Sequence, residues 1–143
     1  MPTTVLYATD FSEASGPAFD EARKLSKLTG SRLVVAHVLH FPPMLFDLPA
    51  QTDETEDAMR RWCQHRLEEL AAKAGAAGVK AETELREDPH AHEGIVKLAR
   101  EKDALMIVLG THGRTGLSKL VLGSVAARVI AVAPCPVLTV RGA

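Results

Sequence analysis

The run GTHGRTGLSKLVLGSV at residues 110–125 combines glycines, hydroxyl groups and basic side chains, a set of residue types that suits phosphate binding. A helix N-terminus presents unpaired backbone N–H groups and a partial positive charge. Gly123, Ser124 and Val125 could therefore bind an anion without any basic side chain, and the Ser124 hydroxyl would add one more donor.

The first half of the same run would shape the loop and add positive charge near the phosphate. Gly110 and Gly113 would let the loop turn with a positive φ or let a ligand come close to the backbone. Arg114 or Lys119 would screen further phosphate charge, and His112 would either touch phosphate or fill the turn. Taken alone, a glycine-rich connection between a strand and a helix explains the run equally well, since it fits neither the Walker A spacing nor GxGxxG.

Five segments of the sequence are predicted to be strands, and they would position this run. Three are short and almost continuously apolar, which is typical of strands buried on both faces: Thr4–Thr9, Leu33–Leu39 and Leu105–Leu109. Val79–Arg86 instead alternates apolar and charged residues, as a strand at a sheet edge does. Pro136–Val140 is the last of the five.

Helical patterns separate these strands. The first helix is expected to open near Ser12 to Pro17 and end at Thr29 and Gly30, the second to run over 53–74, and the fourth to run from about Gly123 to Pro134. Asp88 and Pro89 predict the N-cap and first residue of the third. The expected inward residues are Met59, Trp62, Cys63, Leu67, Leu70 and Ala74 on the second helix, and Val125, Val129, Ile130 and Ala133 on the fourth.

The alternation of strands and helices predicts an open parallel α/β sheet with helices on both faces. Ligands bind such sheets beyond the carboxyl ends of strands, where the direction of winding reverses. The end of the first strand, at Ala8, Thr9 and Asp10, and the end of the fourth, at Leu109 and Gly110, are therefore the expected site.

Length and composition narrow the class of protein. With 143 residues, of which 46% are hydrophobic, we expect one domain over residues 1–143. The formal charge of −1 and the lack of a basic patch disfavour nucleic acid as a partner. No apolar run approaches the roughly 20 residues that cross a bilayer, and the N-terminus does not resemble a secretory signal. We therefore expect a cytoplasmic protein without a membrane partner.

Several stretches together resemble the universal stress protein family. The spacing GxxG, nine residues, then Gly-Ser at 110–124 resembles the nucleotide-binding signature of that family. VLYATDFSEAS at the N-terminus, AHV at 36–38 and APCPVLTV near the C-terminus resemble its first, second and last strands. The resemblance spans nearly the whole chain.

The resemblance implies a five-stranded sheet of order 3-2-1-4-5 and an ATP site across strands one and four. It leaves open whether Mg accompanies the ATP. It implies that Asp10 meets the ribose or adenine end and that the backbone of Val38 meets the adenine edge. It assigns the phosphates to Gly110, Gly113, Gly123 and Ser124. The residues themselves add only the apolar character of Ala8 and Val38 at the adenine end.

Three classes of function follow. The first is an ATP-binding regulatory module of a stress response, with an unidentified protein partner. The second is a slow ATPase related to adenine-nucleotide hydrolases, although ATDFSEAS lacks the glycine pair of their pyrophosphate loop and only Asp10 is available as a base. The third is a dimeric scaffold without nucleotide, which the intact glycine signature disfavours.

The resemblance also implies a homodimer, and the last strand suggests how it forms. In the order 3-2-1-4-5, Pro136–Val140 lies at an edge and carries no lysine or inward charge to block pairing. Two copies could pair these strands antiparallel about a two-fold axis. The alternative is a monomer in which Pro136 and the tail Arg141–Ala143 protect the edge.

Three other features have simpler interpretations. Asp10 as a phosphoacceptor would need further acidic residues and a lysine that are not evident. His90, His92 and Glu93 suggest a metal, but solvated polar residues at a helix start are the simpler interpretation. The segment His40–Gln51 is either a loop packed on the second helix or a flap or partner surface.

Overall fold

The computed structural model describes residues 3–40, 53–111 and 122–142. Within these ranges five strands alternate with four helices. The strands are β1 (Thr4–Ala8), β2 (Arg32–Leu39), β3 (Ala81–Glu87), β4 (Ala104–Gly110) and β5 (Val137–Val140). The helices are α1 (Gly16–Thr29), α2 (Asp53–Ala76), α3 (Ala91–Glu101) and α4 (Ser124–Val132), and a short 3₁₀ turn at Glu13–Ser15 precedes α1.

The strands form one parallel sheet of order β3-β2-β1-β4-β5, which confirms the predicted architecture. From β1 the chain winds outward through β2 to β3 and then returns to the other side of β1 to make β4 and β5. The winding reverses between β1 and β4, which are direct neighbours in the sheet. Their carboxyl ends lie at the same edge of the sheet, where the sequence predicted a site.

Two hydrophobic cores lie on opposite faces of the sheet, because successive strand residues point to opposite sides. Leu6, Val34 and Ile107 belong to the core that α3 and α4 cover. Val5, Tyr7 and Val35 belong to the core that α1 and α2 cover. Burial on both faces explains why the central strands are almost uninterrupted runs of branched residues.

The edge strand β3 has the two faces that its alternation predicted. Ala81 and Leu85 pack towards the core under α2. On the other face Glu84 pairs with Lys102 at 2.8 Å and with Arg86 at 3.1 Å. Burial opposes ionisation of Glu84, but the hydrogen bonds from Lys102 and Arg86 outweigh it and lower the pKa of this carboxyl group. The edge is thus covered by paired charges.

The predicted start of the third helix was wrong by about two residues. The N-cap is His90 rather than Asp88, and the helix begins at Ala91 rather than at Pro89. The Asp88 backbone N–H still donates to the Leu39 carbonyl at 3.1 Å, so Asp88 remains tied to β2. Its side chain instead accepts the His90 N–H at 2.9 Å, and this hydrogen bond lowers the pKa of Asp88.

On α2 and α4 some of the residues that were predicted to face inward are exposed. On α2, Cys63, Leu67 and Ala74 are buried as expected, whereas Met59 and Trp62 are each 44% exposed. On α4, Val129 is buried as expected, together with Ala126, which was not predicted. Val125 and Ile130 flank this buried pair and are 40% and 48% exposed. The face of α4 that packs on the sheet is therefore centred on Ala126 and Val129 rather than on the larger residues Val125 and Ile130.

None of the helices in the described ranges is long and apolar enough to cross a membrane.

Helix α3 packs closely against the sheet at Gly94. A Cβ atom there would lie 2.7 Å and 2.9 Å from the two methyl groups of Val38, which are short branches that cannot swing away. Gly75 in α2, by contrast, has no atom within 4 Å of such a Cβ. Glycine at position 94 thus permits the close packing of α3 against β2.

We predict that Gly94→Ala destabilises the protein by about 1–2 kcal/mol, because overpacking outweighs the better helix propensity of alanine. The control Gly75→Ala should stabilise it by about 0.5–1 kcal/mol, since only the propensity changes. Urea unfolding followed by circular dichroism measures both free energies. A Gly94→Ala protein at least as stable as the wild type would show that this contact is not tight.

Candidate functional site

A cleft with a volume of about 310 Å³ opens at the carboxyl ends of β1 and β4. Nine of the predicted site residues line it: Ala8, Thr9, Asp10, Val38, Leu109, Gly110, Gly123, Ser124 and Val125. The other three, His112, Gly113 and Arg114, lie outside the described residues, as does most of the segment His40–Gln51. The fold thus collects residues that are distant in sequence into one cavity.

Other residues that sequence reasoning missed also line the cleft. They come from the 3₁₀ turn, from the end of β2, from α3 and from both sides of the 110–125 run: Ser15, His37, Leu39, His40, Ala91, Ile95, Thr111 and Ala126. One signal was available for α3, because Ala91 and Ile95 are four residues apart and therefore share a helix face. Ala91 is the first residue of α3.

The turn after β1 fixes the Asp10 carboxylate. The Ser12 backbone N–H donates to Asp10 Oδ1 at 2.9 Å, and the Ser12 hydroxyl donates to the same oxygen at 2.6 Å. The Phe11 N–H donates to Thr9 Oγ1 at 2.9 Å. Each of these bonds closes a local ring of the type that Asp and Thr form in turns. Asp10 is thus held at the mouth of the cleft by its own neighbours in sequence.

Phe11 occupies the left-handed region of the backbone, with φ of 66°. This conformation costs a non-glycine residue roughly 1–3 kcal/mol, so surrounding contacts must maintain it. The Phe11 ring lies 4.5 Å from the His37 ring and 5.5 Å from the Trp62 ring, between centroids. His37 Nδ1 lies 2.6 Å from the Thr9 carbonyl oxygen. Because a carbonyl oxygen only accepts, Nδ1 carries the proton and donates it.

A buried set of hydroxyl groups supports the floor of the cleft. The Tyr7 hydroxyl donates to the Ser15 carbonyl at 2.9 Å and lies 2.5 Å from Ser15 Oγ. Ser15 Oγ is in turn 3.1 Å from Thr9 Oγ1. Burial raises the pKa of Tyr7, so its phenol stays protonated and keeps donating. These bonds tie the start of α1 to β1 below the Asp10 turn.

The N-terminus of α4 is tied to the sheet by two backbone bonds. The Gly123 N–H donates to the Thr111 carbonyl at 2.6 Å, and the Thr111 N–H donates to the Val140 carbonyl at 3.0 Å. The first intrahelical bond runs from the Ala127 N–H to the Gly123 carbonyl. The helix itself therefore offers no acceptor to the N–H groups of residues 124–126, which gives this end of the cleft a partial positive charge.

Backbone conformation does not explain the glycines at 110 and 123. Gly123 has φ of −60° and ψ of 153°, values that any residue adopts, and Gly110 is the last residue of β4. The expectation of a positive φ is therefore wrong for Gly110. What remains for both positions is space, because a glycine leaves the backbone open to whatever occupies the cleft.

Part of the cleft lining is apolar. Ala8, Val38, Ile95 and Leu109 line it and belong to the core that α3 and α4 cover. Val38 also packs closely against Gly94 of α3. A flat apolar group could enter here while a charged group stays at the α4 end.

The acid–base groups of the cleft are few. Among its described lining residues Asp10 is the sole carboxylate. Within the described ranges, no cluster of three or more His, Cys, Asp or Glu side chains could hold a metal ion. These residues therefore form no all-protein cage for a metal ion, whereas a magnesium ion shared with bound phosphates would need only one or two carboxylates.

Comparison with known proteins places these features in a family. Residues 1–141 match the model of the Universal stress protein family. The universal stress protein MJ0531 of Methanocaldococcus jannaschii is 36% identical over 139 residues, which are 96% of this chain and 81% of that protein.

Solved structures show the same fold. The hypothetical protein MJ0577 of the same organism superposes with a TM-score of 0.83 at 28% identity, covering 98% of this chain and 96% of that one. The universal stress protein of Archaeoglobus fulgidus, solved in complex with dAMP, has a TM-score of 0.71 at 24% identity, covering 99% and 98% of the two chains.

Proposed function

We propose that this chain, which belongs to the universal stress protein family, is a single domain over residues 1–143 that binds ATP in the cleft and acts as a nucleotide-dependent regulatory module of a stress response. The observation that carries the proposal is the polarity of the cleft. One cavity joins the α4 N-terminus beside Gly123, whose first N–H groups have no acceptor within the helix, to apolar surface beside Val38. A nucleotide has the matching polarity, with phosphates at one end and a flat base at the other.

The phosphate end is built from backbone rather than from basic side chains. In the proposed complex the N–H groups of residues 124–126 bind phosphate oxygens, and the Ser124 hydroxyl adds a donor. Ser124 and Val125 line the cleft and are exposed, so a ligand can reach both. Gly110 and Gly123 leave room for the phosphates at the backbone. Gly113, Arg114 and His112 would complete this end from beyond the described residues.

The base end is proposed to hold adenine. Ala8, Val38 and Ile95 offer apolar surface for the ring, and the end of β2 offers backbone groups to its edge. Asp10, fixed at the mouth by Ser12, is placed to accept from ribose hydroxyl groups. The complex of the Archaeoglobus fulgidus protein with dAMP motivates the choice of an adenine nucleotide within this fold.

Binding is favoured over hydrolysis. An ATPase must orient a water molecule with a base and stabilise developing charge on the γ-phosphate. Asp10 is the one carboxylate among the described lining residues, and its Oδ1 already accepts two hydrogen bonds from Ser12. The other candidate bases in that lining are His37, whose Nδ1–H donates to the Thr9 carbonyl, and His40. A magnesium ion that accompanies ATP would have to be held chiefly by the phosphates.

Identification of a co-purified nucleotide separates the nucleotide-binding module from a scaffold without nucleotide. Protein purified from its expression host, extracted with acid and examined by liquid chromatography and mass spectrometry should release an adenine nucleotide. Added ATP should bind to a separate sample that has been freed of nucleotide by dialysis under native conditions. Protein that releases none and does not bind added ATP would favour the scaffold.

Gly123→Val tests the phosphate end. A branched side chain would occupy the proposed phosphate position, so ATP binding should become undetectable by calorimetry. Because valine tolerates the backbone angles of Gly123, the free energy of unfolding should change by only about 1 kcal/mol. Gly75→Val is the matched control, since it adds the same side chain in open space and should retain affinity. A folded Gly123→Val protein with unchanged ATP affinity would contradict the phosphate assignment.

We further propose that the protein is a homodimer that pairs β5 antiparallel with its copy. The two sheet edges differ in a way that supports this choice. The β3 edge carries charges that are paired with Arg32, Lys102 and Glu101. On β5, Val137 packs towards one core and Leu138 and Val140 towards the other, and all four strand residues stay half-exposed. An uncharged apolar edge of this kind invites pairing.

Leu138→Lys tests the dimer. A lysine on β5 would be buried by pairing, so the variant should be largely monomeric at micromolar concentration in light scattering, where the wild type is dimeric. Leu28→Lys, at a position 82% exposed on α1, is the same chemical change and should remain dimeric. A monomeric wild type, or a folded Leu138→Lys protein that stays dimeric, would place the interface elsewhere.

A further inference from the structure

We propose that Phe11 is a positioning residue for the nucleotide site and that α2 holds it in place through a ring cluster formed by Phe11, His37, Trp62 and Arg66. This inference rests on the proposed function, because its consequence is the affinity for ATP. Trp62 and Arg66 are not among the described residues that line the cleft. They act through Phe11 on the turn that carries Asp10.

The ring cluster surrounds Phe11 with three partners. The His37 ring from β2 lies 4.5 Å away and tilted by 37°, and the Trp62 ring from α2 meets it edge-on at 5.5 Å. The Arg66 guanidinium carbon lies 5.4 Å from the Phe11 centroid and 5.3 Å from the Trp62 centroid. These are the separations at which aromatic pairs and cation–π pairs attract.

The cluster controls a strained backbone. Phe11 has φ of 66°, which residues other than glycine and asparagine seldom adopt. The residues on either side make the bonds that place Asp10: Phe11 N–H to Thr9 Oγ1, and Ser12 to Asp10 Oδ1. If residue 11 relaxed to a negative φ, the Ser12 N–H would rotate away from the Asp10 carboxylate. The contacts on the Phe11 ring therefore help to set the orientation of the Asp10 carboxylate.

Trp62 offers a way to weaken the cluster without opening the core. Its side chain on α2 is 44% exposed, and it is not among the described residues that line the cleft. Met59 on the same helix is equally exposed at 44%, so it is a matched control for the loss of a large apolar side chain from α2. A role in packing alone predicts similar effects at the two positions.

The test compares wild type, Trp62→Ala and Met59→Ala by ATP calorimetry and by the amide hydrogen exchange rate of Ser12. Trp62→Ala should bind ATP about fivefold more weakly, because a smaller fraction of molecules holds the competent turn. Its Ser12 amide should exchange faster even without ATP. Met59→Ala should match the wild type in both measurements. Equal changes in the two variants, or none in Trp62→Ala, would overturn the positioning role.

A second pair of variants separates the backbone effect from the loss of the ring. Phe11→Asn and Phe11→Ala both remove the ring, but asparagine accepts the left-handed conformation more readily than alanine. Phe11→Asn should therefore retain more ATP affinity and a slower Ser12 exchange than Phe11→Ala. Asparagine no better than alanine would contradict the proposal.

The two proposals fail in different ways. A wild type that does not bind ATP ends the proposed function, while Ser12 exchange in Trp62→Ala still decides whether α2 positions the Asp10 turn. A wild type that binds ATP, with Trp62→Ala unchanged in affinity and exchange, ends the positioning role and leaves the proposed function intact.

Discussion

The direct pairing of β1 with β4 is the constraint on which the rest of the structure depends. Because the chain leaves β1 for one face of the sheet and leaves β4 for the other, the helices that follow diverge. Their divergence opens a gap at the carboxyl ends of the two strands. The Asp10 turn and the N-terminus of α4 both line this gap. The position of the proposed site follows from this adjacency.

The cleft is maintained by contacts on both faces of the sheet. On one face Gly94 lets α3 pack closely against Val38. On the other face the rings around Phe11 and the hydroxyl groups of Tyr7 and Ser15 fix the loop after β1. The bond from Gly123 to Thr111 ties α4 to the end of β4. A cavity held in this way is preorganised, so little binding energy is lost in ordering it.

Sequence reasoning succeeded where local chemistry decides the outcome. Apolar runs predict buried strands, and the alternation of Val79–Arg86 predicts an edge because one side of a strand meets water there. The glycines and Ser124 could be placed at one end of a cleft because a parallel sheet brings strand ends together. The strand order itself came from the resemblance to a family, since periodicity does not say which strands are neighbours.

The sequence predictions that were wrong failed because of tertiary contacts. Asp88 has the side chain of an N-cap, but its backbone remains bonded to β2, so the helix begins later. Trp62 has the spacing of the residues by which α2 packs on the core, yet its ring packs against Phe11. The left-handed backbone of Phe11 could not be foreseen, because the partners that maintain it lie far away in sequence. The buried face of a helix and the strain in a loop are decided by packing rather than by local pattern.

If one cleft binds both ends of ATP, between the α4 N-terminus and the end of β2, both ends must respond to the same ligand. Titration of ¹⁵N-labelled protein with ATP, followed through the amide signals, measures this response. The signals of Gly123, Ser124, Val125 and Val38 should shift most and saturate together at one dissociation constant. Saturable binding whose largest shifts fall elsewhere, with these four signals unmoved, would contradict binding in this cleft.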